Sequence, residues 1–256
     1  MHTFDTPDPL SLSVRLGAGS VTVTASDTAT STVDLAAHGD EARTLVDRAT
    51  VEQPGRDLLV DVPRARGHRG ADLDVTVSVP TGSDVRVATD SADITLTGRL
   101  GTVVVSSGSG DVSVEAAAGA AEVTTGSGDV EVGTVDGPVS VRTGSGDLRV
   151  RRAAAEAELK SGSGDLTVDD AGGDVVLKSG SGDLTVGRVG ASRVQATNAS
   201  GSVRVGVADD LPAWLDLSTV TGRVTSDLDA AEPADGEPYA QVHAKTVSGD
   251  VVVARA

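Results

Sequence analysis

One tetrapeptide restricts this chain to a narrow set of folds: Gly-Ser-Gly-Asp, or a close variant, returns every 18 residues. Its aspartates are Asp111, Asp129, Asp147, Asp165 and Asp183, and the frame extends back to Asp93 in TDSADITL. Forwards it loosens, with Ser202 after 19 residues, Arg223 after 21 more and Asp250 after another 27. Self-similarity at a fixed short period marks a chain that stacks one structural unit on the next.

Within each unit, apolar residues stand one and three positions after the aspartate: Val112 and Val114, Val130 and Val132, Leu148 and Val150, Leu166 and Val168, Leu184 and Val186. That period of two describes a strand with one buried face. A second alternating run follows in Val103/Val105, Val139/Val141, Ala157/Leu159 and Val175/Leu177, after a turn marked by Gly101, Gly119, Gly137 and Gly173. Strands this short gain stability only by pairing with their equivalents in neighbouring units. The expected fold is therefore all-β, a single-stranded parallel β-solenoid of 18-residue coils with two short strands each. The Ala-rich stretches at residues 115–121 and 151–159 have high helix propensity, but they keep the phase and are expected to be turn and strand.

Residues 1–256 read as one domain, with irregular coils and a cap over 1–90, regular coils over 91–205, and irregular coils and a cap over 206–256. GAGSVTV, GRDLLVDV and DVRV continue the pattern loosely before residue 90. A short helical turn is expected near Glu41 to Arg48. Trp214 in LPAWLDL is expected to cover the last coils as a core residue, and the acidic segment AAEPADGE at residues 230–237 to be a loop. Aromatic residues are only Phe4, Trp214 and Tyr239, so the core must be a thin one of Val, Leu, Ile and Ala.

Coils stacked about 4.8 Å apart turn equivalent residues into columns. The aspartates become a ladder in which neighbouring charges repel by roughly 1 kcal/mol each. The structural reading is that every carboxylate accepts turn N–H groups in an Asx-type turn beside glycines of positive φ. The functional alternative is a shared cation site at Asp111, Asp129, Asp147, Asp165 and Asp183, as in a calcium-binding β-roll. The placement of Asp directly after Gly, and the lack of a matching carboxylate set at the second turn, favour the first. No metal or other cofactor is expected.

A second column, Arg142, Lys160 and Lys178, is basic, with Glu122 and Glu158 on the same strand face. It reads as a solvated surface that discourages edge pairing, or as a partner surface. Arg64, Arg66, His68 and Arg69 form another basic cluster, read as a mobile loop able to dock a partner.

The formal charge of −17 disfavours nucleic acid and anionic lipid. No apolar run reaches the roughly 18 to 20 residues that span a bilayer. MHTFDTPDPL lacks the charged and apolar regions of a signal peptide, so a cytoplasmic location is expected. With no cysteine there is no disulfide, thiolate site or Cys nucleophile. His2, His38, His68 and His243 lie in unrelated segments without metal-ligand spacing, and neither a GxSxG elbow nor a Walker loop occurs. A carbohydrate-active β-helix enzyme would interrupt the repeat with a local Asp, Arg or Lys cluster. Arg149, Arg151 and Arg152 are the one unusual grouping, so the chain is expected not to be an enzyme.

The GSGD-type repeat, the opening HTFDTPDPLSLSVRLGAGSVTV, and AWLDLSTVTGRVTSDL followed by TVSGDVVV together resemble the bacterial domain-of-unknown-function family labelled "putative adhesin", in its actinobacterial form. The resemblance spans essentially the whole chain. It implies a parallel β-solenoid with a binding role, a cell-surface location by label only, and no catalytic residues. The combined expectation is a non-catalytic binding or scaffold protein for a macromolecular partner, most simply another protein, with self-association through the solenoid ends.

Overall fold

The computed structural model describes residues 1–64, 72–209, 211–228 and 236–256, which divide into two compact units, Met1–Gly128 and Asp129–Ala256. Both are built from the same parallel β-solenoid coil. In the second unit, Val130–Val135, Leu148–Ala153, Leu166–Ala171 and Leu184–Val189 stack in parallel, each residue beside its equivalent 18 positions on. Val139–Ser145, Ala157–Ser163 and Val175–Ser181 stack likewise as the opposite wall. One coil buries Leu148, Val150, Ala153, Ala157 and Leu159, none more than 1% exposed. Burial of branched apolar side chains between two facing walls is what drives a coil with so few aromatics to close.

The strand after each aspartate is not straight. Between Val150 and Ala153 two consecutive residues, Arg151 and Arg152, point outward, and a strand can present two neighbours on one side only by bending. The bend brings in a third inward position, Ala153, Ala171 and Val189 in successive coils. A strict period of two does not contain that position, which is why the alternation alone missed it.

The last coils are stacked out of sequence order. Val203–Val207 pairs with Val251–Arg255, and only beyond that lies Val224–Ser226. On the other wall Arg193–Ser200 pairs with Ala240–Ser248, which pairs in turn with Ala213–Thr221. The C-terminal coil is thus inserted between two coils that precede it in the chain. Its apolar side chains fit that central place: Val242, Ala244, Val251 and Val253 are fully buried.

The first unit repeats the device. Ser11–Ser26 runs through both walls and pairs on one side with Asp84–Leu100, on the other with Asp57–Asp61 and Asp72–Pro80. Regular coils continue through Val103–Ser109, Val112–Ala117 and Ala121–Ser127. At its outer side the expected parallel pairing gives way to antiparallel pairing: Thr30–His38 on Asp72–Pro80, His2–Asp5 on Thr30–His38, and Thr50–Glu52 on Asp57–Asp61. A helix, Asp40–Val46, buries Ala42 and Leu45 there and carries Asp40 and Glu41 in its first turn, where the helix dipole favours them.

Candidate functional site

The Gly-Ser-Gly-Asp corner is built by sterics before any charge is considered. Gly110, Gly128, Gly146, Gly164 and Gly182, each directly before an aspartate, have φ of 116, 126, 135, 131 and 125°. A Cβ on Gly164 would stand 2.0 Å from the carbonyl oxygen of Gly146 in the preceding coil. Both conformation and contact therefore require glycine.

The corner places Asp93, Asp129, Asp147, Asp165 and Asp183 so that the carboxylate reaches the next coil, not its own turn as an Asx turn would. Asp147 N–H donates to Asp129 Oδ1 at 2.8 Å, Asp165 N–H to Asp147 Oδ1 at 2.8 Å, and Asp183 N–H to Asp165 Oδ1 at 2.7 Å. In the first unit Asp111 N–H donates to Asp93 Oδ1 at 3.0 Å. The chain of bonds continues from Asp183 Oδ1 to Ser202 N–H, and from Asp250 Oδ1 to Arg223 N–H. That last bond follows the spatial order of the coils, not the order in sequence. An N–H on the carboxylates of Asp93, Asp129, Asp147, Asp165 and Asp183 offsets the repulsion along the column. Among the described residues no group of three or more His, Cys, Asp or Glu side chains is arranged to hold a metal ion.

A second ladder lies inside the first and was missed from sequence. Thr125, Thr143 and Ser161 are buried, and each hydroxyl donates to the carbonyl two residues on, at 3.0, 3.0 and 2.8 Å. Asn198 takes the same position, its Nδ2 donating to the carbonyls of Gly182 and Ser200. The structural motif is thus Thr/Ser-Gly-Ser-Gly-Asp, and the hydroxyl at its start was legible as the constant residue before each Gly-Ser-Gly-Asp. The device of the aspartates also appears at the opposite turn, where Asp84 Oδ1 accepts Thr102 N–H and Asp174 Oδ1 accepts Arg193 N–H.

Arg142, Lys160 and Lys178 stand side by side in one outward column. Glu158 lies between the first two, accepting from Arg142 Nη2 at 2.5 Å and pairing with Lys160. The Lys160 hydrogen bond, above all, holds the Glu158 carboxyl below the usual glutamate range, against partial desolvation. Glu122 belongs to the first unit. Arg149, Arg151 and Arg152 are spent on ion pairs with neighbouring coils, reaching Asp169 at 2.9 Å, Glu131 at 2.5 Å and Asp170 at 3.5 Å. They clamp coils together and converge on no common point.

Arg64 forms a bidentate pair with Asp90 at 2.6 and 2.7 Å, which lowers the Asp90 pKa. It borders a cleft of about 480 Å³ shared with Arg15 and Asp61. Arg66, His68 and Arg69 lie outside the described residues, as do residues 230–235 of the acidic segment. His38, Asp74 and Ser20 meet on three strands: Ser20 Oγ donates to Asp74 Oδ1 at 2.6 Å, and His38 Nε2 lies 2.7 Å from Asp74 Oδ2. The carboxylate occupies the middle, so the imidazole is not set between acid and hydroxyl as general-base activation of a serine needs.

Trp214 departs from its expected place in the core. It points outward, 43% exposed, its ring centroid 4.9 Å from that of His243 and tilted 57° to it. Asp216, beside it, accepts from His243 Nδ1 at 3.2 Å and pairs with Lys245 Nζ at 3.3 Å. These partners, His243 first, depress the Asp216 pKa. The alternation in AWLDLSTVT puts Leu215 and Leu217, not Trp214, on the inward side. No helix among the described residues is long and apolar enough to cross a membrane.

Coils closed by glycine corners and tied by carboxylate-to-amide bonds define a parallel β-solenoid of repeat type. The family whose model matches is Toastrack DUF4097, over residues 11–254, and the chain belongs to it. Among solved structures it is similar to a "putative adhesin" from Bacteroides fragilis, with 14% identity, a TM-score of 0.50, and coverage of 100% of this chain and 95% of that one. A "putative adhesin" from Parabacteroides distasonis matches at 12% identity and a TM-score of 0.42, covering 99% of this chain and 95% of that one. No curated protein matches the chain.

Proposed function

We propose that this protein is a non-catalytic binding scaffold whose coils present repeated outward columns to a macromolecular partner, most simply another protein. The observation that carries this is the in-register column Arg142, Lys160 and Lys178. Glu158 pairs with its first two members and offsets one of their two charges, while Lys178 has Thr197 as its neighbour in the next coil. The column thus keeps a net positive charge and ends in Lys178, between Lys160 and Thr197, on a chain of net charge −17. Such a surface suits a carboxylate-bearing partner face and not a polyanion. The label carried by the Bacteroides fragilis relative agrees with a binding role. On this reading the aspartate ladder is a structural device, the carboxylates of Asp129, Asp147, Asp165 and Asp183 already accepting backbone N–H groups. We also propose that residues 1–256 unfold as one domain, because the 18-residue frame runs unbroken from Asp111 to Asp129.

Thermal melting by circular dichroism, in excess chelator and in millimolar calcium, tests the structural part. A single transition unchanged between the two conditions is expected. A chain that gains β structure only with calcium would instead be a metal-triggered β-roll. Photo-cross-linking mass spectrometry from a benzophenone label on Thr197→Cys, in a chain otherwise native and in one that also carries Lys160→Glu and Lys178→Glu, tests the partner face. Adducts at this column should vanish in the variant while its melt stays put, and adducts that persist there defeat the proposal.

A further inference from the structure

The last stacked coil of the second unit ends in an open strand edge. Ala213–Thr221 pairs along one side with Ala240–Ser248, and no described strand pairs along its other side. In a parallel ladder, alternate residues send both backbone groups to the same side. The Pro212 carbonyl accepts Ala240 N–H, so the odd-numbered residues Ala213, Leu215, Leu217 and Thr219 direct their N–H and C=O groups to the open side. The same strand carries Trp214 and Val220, 43% and 77% exposed, while Leu215 and Leu217 are only half-buried. Edge strands of monomers are normally blunted by Lys, Pro or a bulge. AWLDLSTVT contains neither Lys nor Pro.

We propose that this edge is the two-fold interface of a homodimer, formed by antiparallel pairing of Ala213–Thr221 with the same strand of a second copy about Leu217. A strand pairs with itself only if it is its own complement, and this one is. With Leu217 on the axis, Trp214 faces Val220, Asp216 faces Ser218, and Leu215 faces Thr219. The two exposed apolar residues stand on one face at equal distances from the axis. The strand's single carboxylate meets a hydroxyl, and its charge is already balanced by Lys245, with His243 hydrogen-bonded beside it. Other registers are worse: an axis on Asp216 sets two carboxylates opposite each other, and an axis on Ser218 sets Asp216 against Val220 and Trp214 against Gly222. The apolar pattern therefore fixes one register. The pairing extends one wall of the coil stack into the second copy and covers Leu215 and Leu217. It stands on edge geometry alone and does not depend on the partner proposed for the basic column.

Sedimentation equilibrium of the full chain, from low micromolar concentration upward, should show a closed monomer–dimer equilibrium. Val220→Asp changes an exposed side chain twice per interface and should weaken the dimer by about tenfold or more, with the thermal melt of the dilute monomer unchanged. Leu217→Cys places the chain's only thiol on the axis, where paired Cα atoms about 5.5 Å apart allow a disulfide. Mild oxidation should convert that variant to covalent dimer. A monomer at every concentration, open-ended polymers, a dimer indifferent to Val220→Asp, or failure of Leu217→Cys to cross-link would each overturn the assignment.

Discussion

The regular coils of the second unit and its outermost coil follow the same backbone plan with opposite results. In the regular coils every inward side chain meets another above and below, and Leu159, Leu166 and Leu177 are fully buried. In the outermost coil the equivalent Leu215 and Leu217 are half-buried, flanked by a described strand on one side only, and Val224 is 47% exposed. The corners differ too. Residues 144, 162 and 180 are glycines of the Gly-Ser-Gly-Asp turn, whereas Val220 and Val247 take that position in the last two stacked coils. At Gly162 a Cβ would lie 2.5 Å from the Gly144 carbonyl oxygen. Stacking on the preceding glycine leaves no room for a side chain at Gly162, whereas Val220 and Val247 carry theirs outward, 77% and 53% exposed. The first unit ends differently, with antiparallel strands and a helix over its outer coil. Parallel stacking is propagated by the repeat and is stopped only by a change of strand direction.

The largest test of this contrast is at the corner glycine. Gly164→Ala should cost about 4 kcal/mol, the sum of left-handed strain and an overlap the coil cannot relieve. Gly55→Ala, at φ 69° with open space around it, should cost about 1 kcal/mol. Urea denaturation of the two variants compares them directly, and equal losses would mean that coil spacing is softer than the contacts imply. Leu166→Ala should cost about 3 kcal/mol. Leu217→Ala at the open edge should cost less than half as much when measured on the monomer. Asp165→Ala should cost about 1 to 2 kcal/mol by leaving Asp183 N–H without its acceptor, and Asp165→Asn, which keeps an acceptor, only a few tenths. The smallest effect is expected at Ser140, whose Oγ is buried without a hydrogen-bond partner. Ser140→Ala should be neutral or slightly stabilising by hydrogen exchange.

Acid should act through the paired carboxylates. Asp74, Asp90, Glu158 and Asp216 all have folded-state pKa values below their ordinary ones. Each therefore contributes stability that is fully present above the unfolded carboxylate range, near pH 4, and is lost as pH falls through the lowered folded value. Carbon-detected NMR titration should place the Glu158 midpoint below that of a free glutamate, and Lys160→Met should bring it back up.

The coil was legible because its two strands obey a period of two and its corner obeys glycine sterics, both of which are local rules. The bend at Arg151 and Arg152 was not, because two outward neighbours look like a lapse in alternation until the third inward residue, Ala153, is seen. The reach of Asp147 to Asp165 N–H, and not to its own turn, depends on coil spacing, which no single unit encodes. The insertion of residues 240–255 beneath 213–226 was hidden because both segments carry the same turn signature. Only the greater apolarity of QVHAKTVSGDVVV hinted at which is central. Trp214 misled because a lone aromatic suggests a core, while the alternation of its own strand already put Leu215 and Leu217 inside.

That insertion also bears on how the protein is made. Residues 240–255 leave the ribosome after residues 193–226, yet the two coils in that earlier stretch have no permanent neighbour on their facing sides until they arrive. A chain cut short near residue 239 would leave Val194, Ala196, Val203 and Val205 uncovered and strand 213–221 with nothing to pair against. The second unit is thus completed only once residues 240–255 have been made, and chains terminated before them carry an exposed apolar surface open to proteolysis and aggregation.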